Sequence, residues 1–357
     1  MKKSASVLGR FKRSLQMSWP LLLGILVGPM LLSSCVQEQV VSPAENQSQN
    51  FTLNNPSEWV TVKGEFGEGE GQLEPGEPTE RRRAPQGPSG NRGRFNITLK
   101  YLVPVTPAQE AVFEEAAARW ESIIVQDVPS FTGVIPSAFQ GFPPAVDGTV
   151  DDVLIEVVLA PIDGPFGILG QAGPQFVRTS DFLTLTGVMF FDVADLAFLD
   201  QLDLFEEVIV HEMGHVLGIG TLWNAPGRNL RQGSSLNPFF AGTQAGLFWR
   251  AEGGTGLLPI ESDLAGPGTG LSHWSEAVLD NELMTGFLNL GENPLSRITA
   301  ASMSDLGWGA APVGDNYDLP RGAPGVDPAT LSAQGAGGIN IGAMEVTLLP
   351  IGSVVSN

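Results

Sequence analysis

Cysteine and histidine are nearly absent from this chain. Among 357 residues one is cysteine, Cys35, and three are histidine, His211, His215 and His273. A single thiol excludes an internal disulfide, and it leaves no cysteine elsewhere to act as nucleophile or metal ligand. Basic residues are also sparse: 19 Lys and Arg stand against 39 Asp and Glu, a net charge of −20 that favours solubility and repels polyanions. With no basic patch to offset that charge, nucleic acid is excluded as a partner. The apolar stretch Trp19–Leu32 is too short for a membrane span, which needs about 20 residues, and it is interrupted by Pro20, Gly24, Gly28 and Pro29.

That stretch follows Lys2, Lys3, Arg10, Lys12 and Arg13 and ends in Leu32-Ser33-Ser34-Cys35, the layout of an export signal. It resembles the lipobox of bacterial lipoproteins, which implies a signal peptide over residues 1–34 and a lipid on Cys35. The expectation is therefore an exported chain, anchored through Cys35 to the lipid bilayer of a bacterial cell envelope. Residues 35–93 are dominated by Gln, Ser, Asn, Glu, Gly and Pro, sustain no apolar period, and read as a disordered tether. Within them Arg81-Arg82-Arg83 reads as a solvated charge run.

A folded domain is expected from Arg94. Phe95–Val103 alternates like a half-buried strand. A helix follows, with Thr106 as N-cap, Pro107 in its first turn, Gln109 completing a capping box, and Val112, Phe113, Ala116, Trp120, Ile123 and Ile124 on one face. Asp152–Ala160 and Gly187–Phe191 read as further strands. This order points to an α/β (α+β) domain with a mostly parallel sheet backed by two long helices. Asp147, Asp151 and Asp152 could in principle bind calcium, but their spacing is that of a turn and nothing else supports such a site.

The chemistry is concentrated in His211-Glu212-Met213-Gly214-His215. On a helix, His211 and His215 are one turn apart and project from one face, so both imidazoles can reach one metal ion, with Glu212 beside them. The surrounding Leu204, Phe205, Val208, Ile209, Val210, Val216 and Leu217 mark a buried helix, where two histidines and a carboxylate need a common partner. Asp203 and Glu206 are spaced as a capping box, and Gly218 can supply the left-handed turn that ends the helix.

Several motifs together resemble the leishmanolysin-like metallopeptidases, a branch of the metzincin clan. They are His211-Glu212-x-x-His215-x-x-Gly218, the delayed histidine of Ser272-His273-Trp274, Met284, and Ser296-Arg297-Ile298-Thr299 leading to Gly307-Trp308. Looser matches are Leu169–Pro174 and Pro259-Ile260-Glu261 before Gly266-Pro267-Gly268. The likeness covers residues 94–319 and implies a metzincin peptidase domain: an upper lobe with a twisted mixed sheet and two long helices, and a loop-rich lower lobe. Residues 219–272 are a loop-rich insertion anchored by Phe239, Phe240, Phe248 and Trp249, and residues 320–357 a C-terminal tail. Where the compact metzincin pattern places its third histidine this chain has Thr221.

Carried onto this sequence, the resemblance makes His211, His215 and His273 the ligands of one catalytic zinc ion, Glu212 the general base, and Met284 the Met-turn beneath the metal. It also makes Gly187, Val188, Met189 and Phe190 the edge strand that pairs with protein or peptide substrates. It implies a zinc endopeptidase. With one cysteine the chain lacks the disulfides of eukaryotic relatives and any cysteine that could block the zinc, so latency must arise another way. Two rival readings exist. In one, Asn281-Glu282 supplies Glu282 as a thermolysin-type third ligand. In the other, the chain is an adhesin or binding lipoprotein whose zinc is structural.

Overall fold

The computed structural model describes residues 51–67, 94–315, 317 and 339–357. In chain order these form strand β1 (Val60–Gly67), β2 (Ile97–Tyr101), helix α1 (Pro107–Ile123), β3 (Ser130–Ile135), β4 (Val146–Val150), β5 (Val153–Ala160), β6 (Gly170–Arg178) and β7 (Thr184–Asp192). There follow α2 (Val193–Gln201), α3 (Phe205–Leu217), β8 (Arg231–Ser234), β9 (Asn237–Phe240), α4 (Thr243–Ala251) and β10 (Leu258–Pro259). The last elements are α5 (Glu276–Leu279), α6 (Arg297–Asp305), β11 (Glu345–Thr347) and β12 (Gly352–Ser356). The expected export signal, Cys35 and Arg81-Arg82-Arg83 lie outside the described residues.

The expected α+β class is what the chain adopts. The main sheet runs β2-β5-β7-β6-β12-β1-β3-β4, with β11 also on β6. It is mixed: β2–β5, β5–β7, β6–β11, β6–β12 and β1–β12 are parallel, while β6–β7, β1–β3 and β3–β4 are antiparallel. β5 and β7 are buried at every position, because they sit inside the sheet with both faces covered.

Helix α1 forms where its signals place it. Thr106 accepts from Gln109 N and the Gln109 side chain accepts from Thr106 N at 2.9 Å, closing the capping box, with Pro107 in the first turn. Its Phe113, Ala116, Trp120 and Ile123 are buried in the main core. The Trp120 indole N–H donates to the carbonyl of Val210 at 2.9 Å, so α1 is tied directly to α3. That bond satisfies an indole which burial would otherwise leave orphaned.

Two boundary expectations are corrected. Part of the tether expected over 35–93 is sheet: Val60, Val62, Gly64 and Phe66 alternate inward along β1, which pairs with β12 and β3. Phe51 stacks on Phe142 with ring centroids 5.1 Å apart. The short apolar period of β1 was hidden by the Gly and Glu that follow it. The tail expected over 320–357 likewise supplies β11 and β12 to the main sheet. The insertion over 219–272 forms a small sheet, β10-β9-β8, and helix α4, and its Phe240 and Trp249 are buried in the main core. Phe239 and Phe248 are only half-buried.

Candidate metal centre

Helix α3 begins at Leu204 without a side-chain cap, and Asp203 has φ 57°, so the expected capping box is absent. Asp203 adopts the left-handed conformation in the turn from α2, which takes its carboxylate out of the capping role. Glu206 and Glu207 in the first turn still complement the positive end of the helix. The other end behaves as expected: Gly218 has φ 117° and its N–H reaches Gly214 O and His215 O. The Thr221 hydroxyl donates to His215 O at 2.7 Å, fastening the exit of the helix.

His273 reaches the same point from the far side of the insertion. Its carbonyl accepts from Glu261 N at 2.9 Å and the next residue, Trp274, donates its N–H to Met284 O at 3.0 Å. The three Nε2 atoms of His211, His215 and His273 lie 3.0 Å from one another, and all three rings are fully buried. Each Nδ1 faces a carbonyl oxygen: Leu283 O at 2.7 Å, Ile219 O at 2.9 Å and Thr269 O at 3.0 Å respectively. A carbonyl only accepts, so Nδ1 carries the ring hydrogen and the Nε2 lone pairs converge. Three lone pairs at one dry point repel unless a cation lies between them. Zinc bonds of ~2.0–2.1 Å in tetrahedral geometry would separate such nitrogens by about 3.4 Å, so the donor set fits a zinc-sized ion. Burial pushes the His211 pKa down to about 4, which keeps that imidazole neutral; at His273 burial acts in the same direction, but the Glu345 charge outweighs it and raises the pKa.

Glu212 is fully buried on the same helix, and neither of its carboxylate oxygens has a hydrogen-bond donor among the described residues. Its pKa is raised well above the usual range, first by burial and then by the negative charge of Glu345. Glu345, the first residue of β11, completes the cluster. Its Oε1 is 3.0 Å from His273 Nε2 and 3.5 Å from His215 Nε2, and its Oε2 is 3.3 Å from His211 Nε2. Burial acts to raise the Glu345 pKa, but His273 and His215 outweigh it and hold the group well below the usual carboxylate range. Met284 lies beneath: a Cβ placed on Gly214 would be 2.9 Å from its sulfur and terminal methyl.

No family model matches the chain. A stretch of 58 residues is 49% identical to "Leishmanolysin-like peptidase" of Drosophila melanogaster, and the same holds for the protein of that name from Drosophila pseudoobscura pseudoobscura. The match covers 16% of this chain and spans only 8% of either fly protein.

Three expectations about the site are corrected. Glu282 is not among the metal-facing residues: it accepts from Ser296 N, Ser296 Oγ, Thr299 Oγ1 and Met284 N, which occupies both oxygens. Gly187–Phe190 is not an edge, because β7 is hydrogen-bonded to β5 on one side and β6 on the other and has no free backbone for a peptide. The strand alongside α3 with a side turned away from β7 is β6. The acidic cluster that does gather is Asp127, Asp151 and Asp152, without Asp147. Asp152 accepts from Val128 N and Asn96 N, both at 2.8 Å, so it serves to tie a turn to β2. Glu345 was not expected: it is the lone charged residue in 339–357, and only pairing with the distant β6 brings it to the histidines.

Proposed function

We propose that this chain is a zinc-dependent endopeptidase that hydrolyses protein or peptide substrates. The observation that carries the reading is the convergence of three Nε2 atoms at 3.0 Å beside a buried Glu212 that has no hydrogen-bond donor among the described residues. The local identity to proteins named leishmanolysin-like peptidase supports the same class. His211, His215 and His273 would hold the ion. When bound there, a divalent ion supplies Lewis acidity, acidifying a water toward a pKa of ~7 and polarising a scissile carbonyl.

The remaining work belongs to the chain's own groups. Glu212, held in a dry site with its pKa raised by burial, is suited to take a proton from water and pass it to the departing amine. The carbonyls of Leu283, Ile219 and Thr269 fix the imidazole orientations and increase their basicity. The Met284 side chain fills the floor of the site against Gly214.

A second reading, a binding lipoprotein with structural zinc, is favoured by one observation: Glu345 brings the ligand-type residues to four, as in closed structural sites. A structural site, however, has no use for the donorless carboxylate of Glu212. Casein cleavage by the purified protein after release of any block, lost on Glu212→Ala while one zinc per chain is retained, would support the peptidase. Cleavage that survives either Glu212→Ala or chelation would end it. We also propose export and lipid anchoring through Cys35, on the sequence pattern alone.

A further inference from the structure

We propose that the segment Asn340–Pro350 is a built-in blocking strand, with Glu345 as the fourth ligand to the metal, so that the peptidase is made closed. This rests on the metallopeptidase reading. Glu345 is buried, both of its carboxylate oxygens lack a hydrogen-bond donor among the described residues, and both point at the three Nε2 atoms at 3.0–3.5 Å. A carboxylate buried in that way is destabilising unless a cation balances it, and carboxylate oxygen is an ordinary zinc ligand. With its oxygens on the three Nε2 atoms, it stands where water and a scissile carbonyl must both come.

The backbone around Glu345 closes the rest of the cleft. β11 pairs in parallel with Gly170–Ala172 of β6, and the chain continues along that strand to the β12 pairing at Phe176–Arg178. Leu169 N donates to Met344 O at 2.6 Å, Leu348 N to Ala172 O at 2.7 Å and Ile351 N to Gln175 O at 3.0 Å. An extended substrate binds a protease by adding a strand to such an edge, and here that edge is taken. The opposite wall is engaged as well, since Gly342 N donates to Gly286 O at 2.9 Å, two residues beyond Met284.

The fit is specific to this segment. A Cβ on Gly173 would stand 2.1 Å from Leu348 O, so only glycine lets β6 and the segment approach this closely. The single charge in residues 339–357 is the one delivered to the metal-facing cluster. Opening requires β11 to leave, while β12 stays anchored between β6 and β1.

The test uses the full chain with Co2+ in place of zinc. Wild type and Glu345→Ala are compared by cobalt stoichiometry, visible spectrum, acetohydroxamate affinity and hydrolysis of a quenched fluorescent peptide. The expected result is one cobalt per chain in both, an altered spectrum in Glu345→Ala, and acetohydroxamate bound at least tenfold more tightly by the variant. Val346→Pro is the second variant. Alternation with Met344 and Leu348 points the Val346 N–H at β6, and its side chain is exposed, so proline breaks the pairing and frees the strand without changing the Glu345 side chain itself. It should raise peptide hydrolysis at least tenfold. Equal spectra, equal hydroxamate affinity and unchanged hydrolysis in both variants would overturn the blocking role alone. Failure of wild type and variants to bind cobalt at all would instead overturn the metallopeptidase reading, and this inference with it.

Discussion

Ser296 Oγ donates to Glu282 Oε1 at 2.6 Å, joining the start of α6 to the loop that carries Met284. Ser296 N, Thr299 Oγ1 and Met284 N donate to the same carboxylate at 3.1, 2.5 and 2.7 Å, so Glu282 is a buried structural hub. Glu282→Ala should lower stability by on the order of 3 kcal/mol, since it strands several buried donors. Metal content should remain at one ion per chain. His273→Ala should do the reverse, losing the metal, and denaturant titration with metal analysis of the two variants would separate the roles. Loss of metal in Glu282→Ala at unchanged stability would restore Glu282 as a ligand.

Met284 is fully buried, with its sulfur and terminal methyl against Gly214 on α3. Truncation to Ala should cost about 2–5 kcal/mol, while Leu, of similar volume, should cost less than about 1.5 kcal/mol. Thermal unfolding of the two variants gives the comparison. Equal losses from both would mean that the thioether matters in its own right rather than as filling.

Burial pushes the Glu276 pKa up to about 8, opposed by a hydrogen bond from Thr285 and reinforced by Asp280 and Glu261. Its Oε2 has no hydrogen-bond partner among the described residues. With the folded value above the unfolded one, the folded chain holds a proton that the unfolded chain has released between about pH 4.5 and 8. Stability should therefore fall as pH rises through that window. Glu276→Gln should flatten this component of the pH dependence, as read from denaturation midpoints at pH 5, 6, 7 and 8. An unchanged slope in the variant would assign the dependence to another group.

Anchoring at Cys35 predicts that the wild-type chain, expressed in a bacterium, sediments with membranes and partitions into detergent. Cys35→Ala should leave the protein in the soluble fraction or uncleaved at its signal. A variant that fractionates and migrates like wild type would remove the lipid proposal without touching the metal site.

Local signals were legible where one stretch of chain contains all that is needed. The capping box at Thr106 and Gln109, the apolar face of α1 and the turn at Gly218 are of this kind, because capping and the left-handed turn are decided within a few residues. The three histidines were legible for a chemical reason: so few imidazoles in a chain, two of them at helical spacing in an apolar helix, need a shared purpose. Asp203 shows the limit. Its spacing to Glu206 is that of a cap, but the turn from α2 places its backbone at φ 57°.

By itself the sequence determined the α+β class and the helix that presents His211, Glu212 and His215, while the place of His273 was carried by a family resemblance. Periodicity, capping and donor chemistry are properties of short segments. Tertiary structure alone decided that β7 is an interior strand and β6 the one beside the site, that Glu282 is bound up with Ser296 and Thr299, and that Glu345 stands over the histidines. Strand neighbours are chosen by pairing across long separations, as between Gly170 and Glu345, and no local pattern encodes which edge a distant strand will cover.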